Sequence, residues 1–192
     1  MRTNNVWSLV ALAGIVMACD TPTAIESTAT GPAFTRDNAV VASASGGGKA
    51  QLPAGFSLLS FAFTASLRGN GEATGHFRQV YESASGTVDF QGTVTCVSFD
   101  PDNNRAWIGG VITQNNSTNP AVQAAIHQPG RDVWFRVVDN GEGNSPDDRT
   151  TVFGFEGGGG IITSEQYCEA QLWTAGDANT WAAIDGNIQV RP

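Results

Sequence analysis

GTVDFQGTVTCVSFDPDNNRAWIGGVIT, residues 86–113, reads as strand, tight turn, strand. Val88, Phe90, Val94 and Cys96 fall at even spacing, with Thr87, Asp89, Gln91, Thr93 and Thr95 between them. That alternation is the period of a half-buried β-strand. Asp100-Pro101-Asp102-Asn103-Asn104 supplies turn chemistry, because Pro presets φ and Asp and Asn side chains bond their own backbone. The return runs through Ala106, Ile108, Gly110 and Ile112, with Trp107 and Val111 on the opposite face. This hairpin predicts a β-domain.

Working outward, further strand patterns recur at short spacing. Residues 56–65 place Leu59, Phe61, Phe63 and Ala65 on one face. Arg68-Gly69-Asn70-Gly71 follows as a turn, its Asn-Gly pair a strong hairpin signal. Residues 73–81 put Phe77 and Tyr81 on one face and His76 and Arg78 on the other. Val133, Phe135 and Val137 alternate with Trp134, Arg136 and Val138. Residues 150–156, 167–173 and 187–191 give three more strand candidates. Residues 119–127 are the one helical candidate, with Asn119 as cap and Pro120 in the first turn. About eight short strands separated by turn residues predict an all-β fold, a single antiparallel domain built as a barrel or a sandwich.

The N-terminus reads differently. Arg2 precedes an apolar run over residues 6–16, which is too short for the ~20 residues that span a bilayer. A basic start, a short apolar core and a small residue before a cleavage point describe a secretory signal. Val16-Met17-Ala18-Cys19 resembles a bacterial lipobox, which implies a signal peptide over residues 1–18 and a lipid on Cys19. Residues 19–50 are rich in Thr, Ala, Ser, Pro and Gly, a composition that buries too little surface to offset ordering. They read as a flexible, lipid-anchored linker, leaving residues 51–192 as the domain. The expected location is the bacterial envelope, with the membrane as a partner through the anchor.

The chain has 10 basic and 18 acidic residues, net −8, and its only lysine is Lys49. Loss of Arg2 with the signal leaves 9 basic residues and a net charge of −9. Such a surface repels phosphates, which argues against nucleic-acid binding. With Cys19 lipidated, Cys96 and Cys168 are the cysteines that remain in an exported domain. An oxidising compartment makes a disulfide between them the expectation.

Several segments resemble a family of bacterial secreted domains with no established activity. The likeness rests on GTVTCVSF, AWIGGVIT, FRVVDNGEG with a following Pro-Asp, a late cysteine and GNIQVR, and it covers residues 56–191. The resemblance implies secretion and a domain boundary, and it implies no catalytic residues.

Chemistry-bearing constellations are sparse. His76 and His127 lack the HExxH or CxxC partners of a zinc site. No GxSxG elbow is present, and Ser83, Ser85 and Ser98 have no local base. Glu82 and Asp89, on adjacent strand candidates, are a weak carboxylate pair. Trp107, Trp134, Trp173 and Trp181 either fill the core or share a face that takes an apolar or carbohydrate ligand. The loop over residues 139–148 is dense in oxygen. Asp139, Glu142, Asp147 and Asp148, aided by Asn140 and Asn144, form a candidate calcium site, although Gly141 and Gly143 break the EF-hand spacing. A turn between two strands is the competing expectation for that loop. The function this supports is a non-enzymatic envelope lipoprotein presenting a β-domain for binding or a structural role. The alternatives are a hydrolase with a dispersed site and a β-barrel that binds a small ligand.

Overall fold

The structure is a computed structural model that describes residues 38–141, 148–157, 160–172 and 179–192. The strands are β1 (Val40–Ala50), β2 (Leu59–Arg68), β3 (Ala73–Ser83), β4 (Gly86–Asp100), β5 (Arg105–Asn115), β6 (Asp132–Val138), β7 (Arg149–Thr150), β8 (Gly154–Phe155) and β9 (Trp181–Arg191). Among the described residues one α-helix, α1, spans Ser164–Ala170. All pairings are antiparallel. The order is β5-β4-β3-β2-β1-β9-β7-β6-β8, and β5 also pairs with β6. The expected all-β architecture is therefore a single sheet that returns on itself as a ring.

The β4–β5 hairpin stands where the alternation put it, but with two irregularities in its register. Val94 opposes Gly110 and Cys96 opposes Gly109, so Thr95 is an extra residue, a β-bulge. The bulge reverses the phase. Val88, Phe90, Val94 and then Val97 join the main core, whereas Cys96 leaves the face that even spacing assigned to it. Asn104, at φ 46°, completes the turn after a 3-10 turn at Pro101–Asn103.

The interior of the ring is filled. Phe61, Phe63, Phe77, Phe90, Phe135 and Phe153 are all buried in one cluster with Leu59, Ile108, Ile112 and Ile188. Their rings meet edge to face, Phe63 on Phe135 at 5.5 Å and Phe77 on Phe153 at 5.2 Å between centroids. Such large side chains fit because glycines face them. A Cβ on Gly92 or on Gly110 would run into both the Phe77 ring and the backbone of the neighbouring strand.

Three expectations need correction. The linker was expected to run to residue 50, yet residues 40–50 form β1, paired with both β2 and β9. Small residues suit this strand: Ala42, Ala44 and Ala50 are buried, and Gly46 lies against the Phe63 ring. Lys49, assigned to the linker, is an exposed residue of the same strand. Residues 167–173 were expected to be a strand, yet Tyr167 and Cys168 lie in α1. Capping and helical spacing favour the helix: Thr163 accepts from the N–H of Gln166, and Ser164, Tyr167 and Cys168 are buried on one face. The candidate helix over residues 119–127 resolves into two 3-10 turns, Pro120–Val122 and Ala125–His127, the first capped by Asn119 as expected.

Candidate functional site

The seam between β9 and β6 is the weakest joint of the ring. β7 spans it with two residues, pairing with β9 only at Trp181 and Ala182. Further along β9, two aspartates replace a strand. Asp148 Oδ2 accepts from the Ile188 N–H at 2.7 Å, and Asp139 Oδ2 accepts from the Val190 N–H at 2.9 Å. Their other oxygens accept from Asn140 N–H at 3.0 Å and Gly141 N–H at 3.1 Å. Asp148 has no exposed surface. The ionised carboxylate is an acceptor-only group with room for several donors, which suits it to this use.

Two of the four candidate calcium ligands thus close the sheet with all four of their oxygens. Glu142 and Asp147, with Asn144, lie outside the described residues. Among the described residues no group of three or more His, Cys, Asp or Glu side chains gathers around a common point. Beside the seam lies an open, polar cleft of about 520 Å³, bordered by Asp102, Asn104, Arg105, Asp139 and Val190. It is shaped by the β4–β5 turn and the end of β6, where the Asp139 N–H donates to the Asn104 carbonyl.

The tryptophan expectation divides. Trp107 and Trp134 point to the outside of the ring, but α1 covers them, and with Ile161 and Tyr167 they form a second buried cluster. Trp134 stacks on Tyr167 at 5.6 Å, and the Trp107 indole N–H donates to the Leu172 carbonyl at 2.8 Å. Burial raises the Tyr167 hydroxyl well above its usual pKa, against the pull of the Arg136 charge. Trp181 packs on the edge of the main core, and Trp173 lies outside the described residues. Trp107, Trp134 and Trp181 are packing groups rather than an open platform.

The disulfide expectation holds. Cys96 and Cys168 are bonded, with Cα atoms 6.3 Å apart. The bulge that turns Cys96 outward is what brings it under α1. Ser98 Oγ donates to the Cys168 carbonyl beside it at 2.7 Å.

The histidines and serines do not converge. His76 is exposed on the outer face of β3, opposite Thr64 and Thr93. His127 packs against Phe90 and Phe155. Ser83 Oγ is tied to Gly86 and Asn119 in a turn, and Ser85 donates its N–H to it. Asp89 binds Arg78 through two parallel hydrogen bonds of 3.0 and 2.8 Å, while Glu82 accepts from Thr87 Oγ1. Hydrogen bonding to Asp89, and then its charge, raises the Arg78 pKa. The carboxylate pair is therefore two separate structural contacts. A Ser–Asp contact that the sequence did not signal is Ser164 Oγ donating to Asp132 Oδ1 at 2.7 Å. The Ser164 N–H donates to the same oxygen, and Ser164 is fully buried, so the pair fixes the start of α1 to β6.

Comparison with protein-family models, with curated proteins and with solved structures finds no match to the chain. The likeness to secreted β-domains rests on the motifs quoted above alone.

Proposed function

We propose that the chain is a bacterial envelope lipoprotein, held to a membrane by a lipid on Cys19, whose β-domain acts by binding or as a structural part rather than by catalysis. One observation carries the reading of the domain. The ring's interior is packed with phenylalanines, and the side chains of Ser83, Ser98, Glu82 and Asp89 are each engaged in bonds that hold turns, strands or the helix, as is the Ser164–Asp132 pair. An enzyme needs polar groups that converge on space for a substrate. The anchor rests on the apolar run ending at Val16-Met17-Ala18-Cys19, and the acidic balance argues for partners other than nucleic acid.

The test has two arms. In the first, wild type and Cys19→Ala are expressed in bacteria fed labelled fatty acid. Wild type is expected in the membrane fraction with label, and the variant without label and released from membranes. Equal labelling of the two would remove the anchor from the account. In the second, the purified protein is assayed on chromogenic ester and glycoside substrates. Turnover that Ser164→Ala or Asp89→Asn abolishes, with the fold intact by circular dichroism, would establish the hydrolase alternative instead.

A further inference from the structure

His127 ends a 3-10 turn at one end of the ring, where the segment between β5 and β6 lies over the core. Its ring stands edge-on to Phe155 at 4.4 Å and lies 6.2 Å from Phe90. Phe90 is fully buried and packs in turn against Phe155, the rings tilted at 55° with centroids 5.1 Å apart. The imidazole Nδ1 is buried and has no hydrogen-bond partner. Asn115 Nδ2 donates to the carbonyls of both Val122 and His127, while the two ends of the segment are held by the backbone, the Asn116 and Thr118 N–H groups donating to β4 carbonyls and the Gly130 N–H to the Ile112 carbonyl.

A neutral imidazole tolerates this pocket, because one ring nitrogen carries no proton and an unused lone pair is a small cost. An imidazolium carries an N–H donor on each nitrogen and needs an acceptor for both. Protonation would set a charged N–H against two phenylalanine rings with no acceptor. Charged groups on the packed elements offer no relief. On β4, Asp89 is paired with Arg78, and Asp100 is engaged in the turn at the far end of that strand. On β5 the charged residue is Arg105, also at the far end. Past β8, Glu156 is paired with Arg131 and also accepts from the Asp132 N–H. Asp132 of β6 accepts from Ser164. The Pro120–Val122 turn carries no charge.

We infer that His127 is an acid-sensitive latch, and that its protonation releases the segment over residues 116–130 and uncovers the Phe90–Phe155 end of the core. Burial lowers the His127 pKa, which agrees with the direction. With the folded value depressed, the latch is fully closed above the ordinary histidine value of about 6.5. Its contribution is lost progressively as the pH falls below that value, because the open state then binds the proton more readily.

The test is hydrogen–deuterium exchange of the full chain at pH 7.5 and pH 5.0, corrected for the intrinsic exchange rate at each pH. Wild type is expected to lose protection severalfold in peptides over residues 116–130 at the lower pH, with β2 and β3 unchanged. His127→Phe, which fills the pocket and cannot protonate, is expected to keep equal protection at both pH values. His127→Gln serves if the phenylalanine does not fold. His76→Asn, altering the exposed histidine, is expected to behave as wild type. Unchanged protection in wild type, an equal loss in the His127 variants, or abolition of the loss by His76→Asn would each overturn the latch.

Discussion

Asp148 carries no exposed surface, and both its oxygens are taken by N–H groups, one from Asn140 and one from Ile188. Removing the side chain leaves those donors without acceptors, at roughly 1–3 kcal/mol each. Asp148→Ala is therefore expected to lower stability by about 3 kcal/mol, read as a fall in the urea midpoint at unchanged slope. Asp148→Asn keeps one carbonyl oxygen and should lose less. The same residues bear on calcium. With Asp139 and Asp148 engaged at the seam, millimolar calcium is expected to leave the thermal midpoint where chelator leaves it. An upward shift that Asp139→Ala abolishes would restore a metal role, by mass action on the folded state. The acidic density of residues 139–148 was legible in the sequence, but its use was not. Whether a carboxylate faces a cation or a strand's N–H groups depends on where β9 passes, and β9 lies 40 residues on in the sequence from the contact it makes with Asp148.

Among the elements, the β4–β5 hairpin was readable because alternation, Pro101 and the Asn pair all agreed. The bulge at Thr95 was not readable, since a threonine at that position fits an unbroken strand equally well. Its consequence is large, because it sends Cys96 to α1 and Val97 to the core. The helix itself was missed because Tyr167 and Leu172 also suit a strand, and packing over Trp107 and Trp134 decided the matter. The disulfide ties these elements across a sequence separation of 72. Replacing both cysteines with alanine is expected to cost about 4 kcal/mol on the chain-entropy account. Guanidinium unfolding of wild type and variant would check it, and near-identical midpoints would mean that α1 holds without the bond. Packing at the hairpin gives a second element-scale prediction. Gly110→Ala places a methyl against the Thr93 carbonyl and the Phe77 ring, so it should destabilise by about 1–3 kcal/mol or more. Gly71→Ala is a useful contrast, since its φ of 84° strains any side chain although nothing crowds it.

At the scale of the whole molecule, the all-β antiparallel class followed from short alternating segments and their turns. The ring did not, because closure depends on β5 finding β6 and on two aspartates standing in at a seam. The first strand was also hidden. Its glycines and alanines have the composition of a linker, and only the phenylalanines that pack against them make it a strand. A chain that starts β1 at Val40 leaves residues 19–39 between Cys19, where a lipid is proposed, and the sheet, fewer than in the expected linker. The central claim, an exported β-domain carried on a lipidated cysteine, is tested most directly by mass spectrometry of the unreduced protein taken from bacterial membranes and digested. The account predicts an N-terminal peptide that begins at Cys19 and carries the mass of a lipid, together with Cys96 and Cys168 in one linked pair. An unmodified Cys19 within an uncut N-terminus, with free thiols at Cys96 and Cys168, would contradict it.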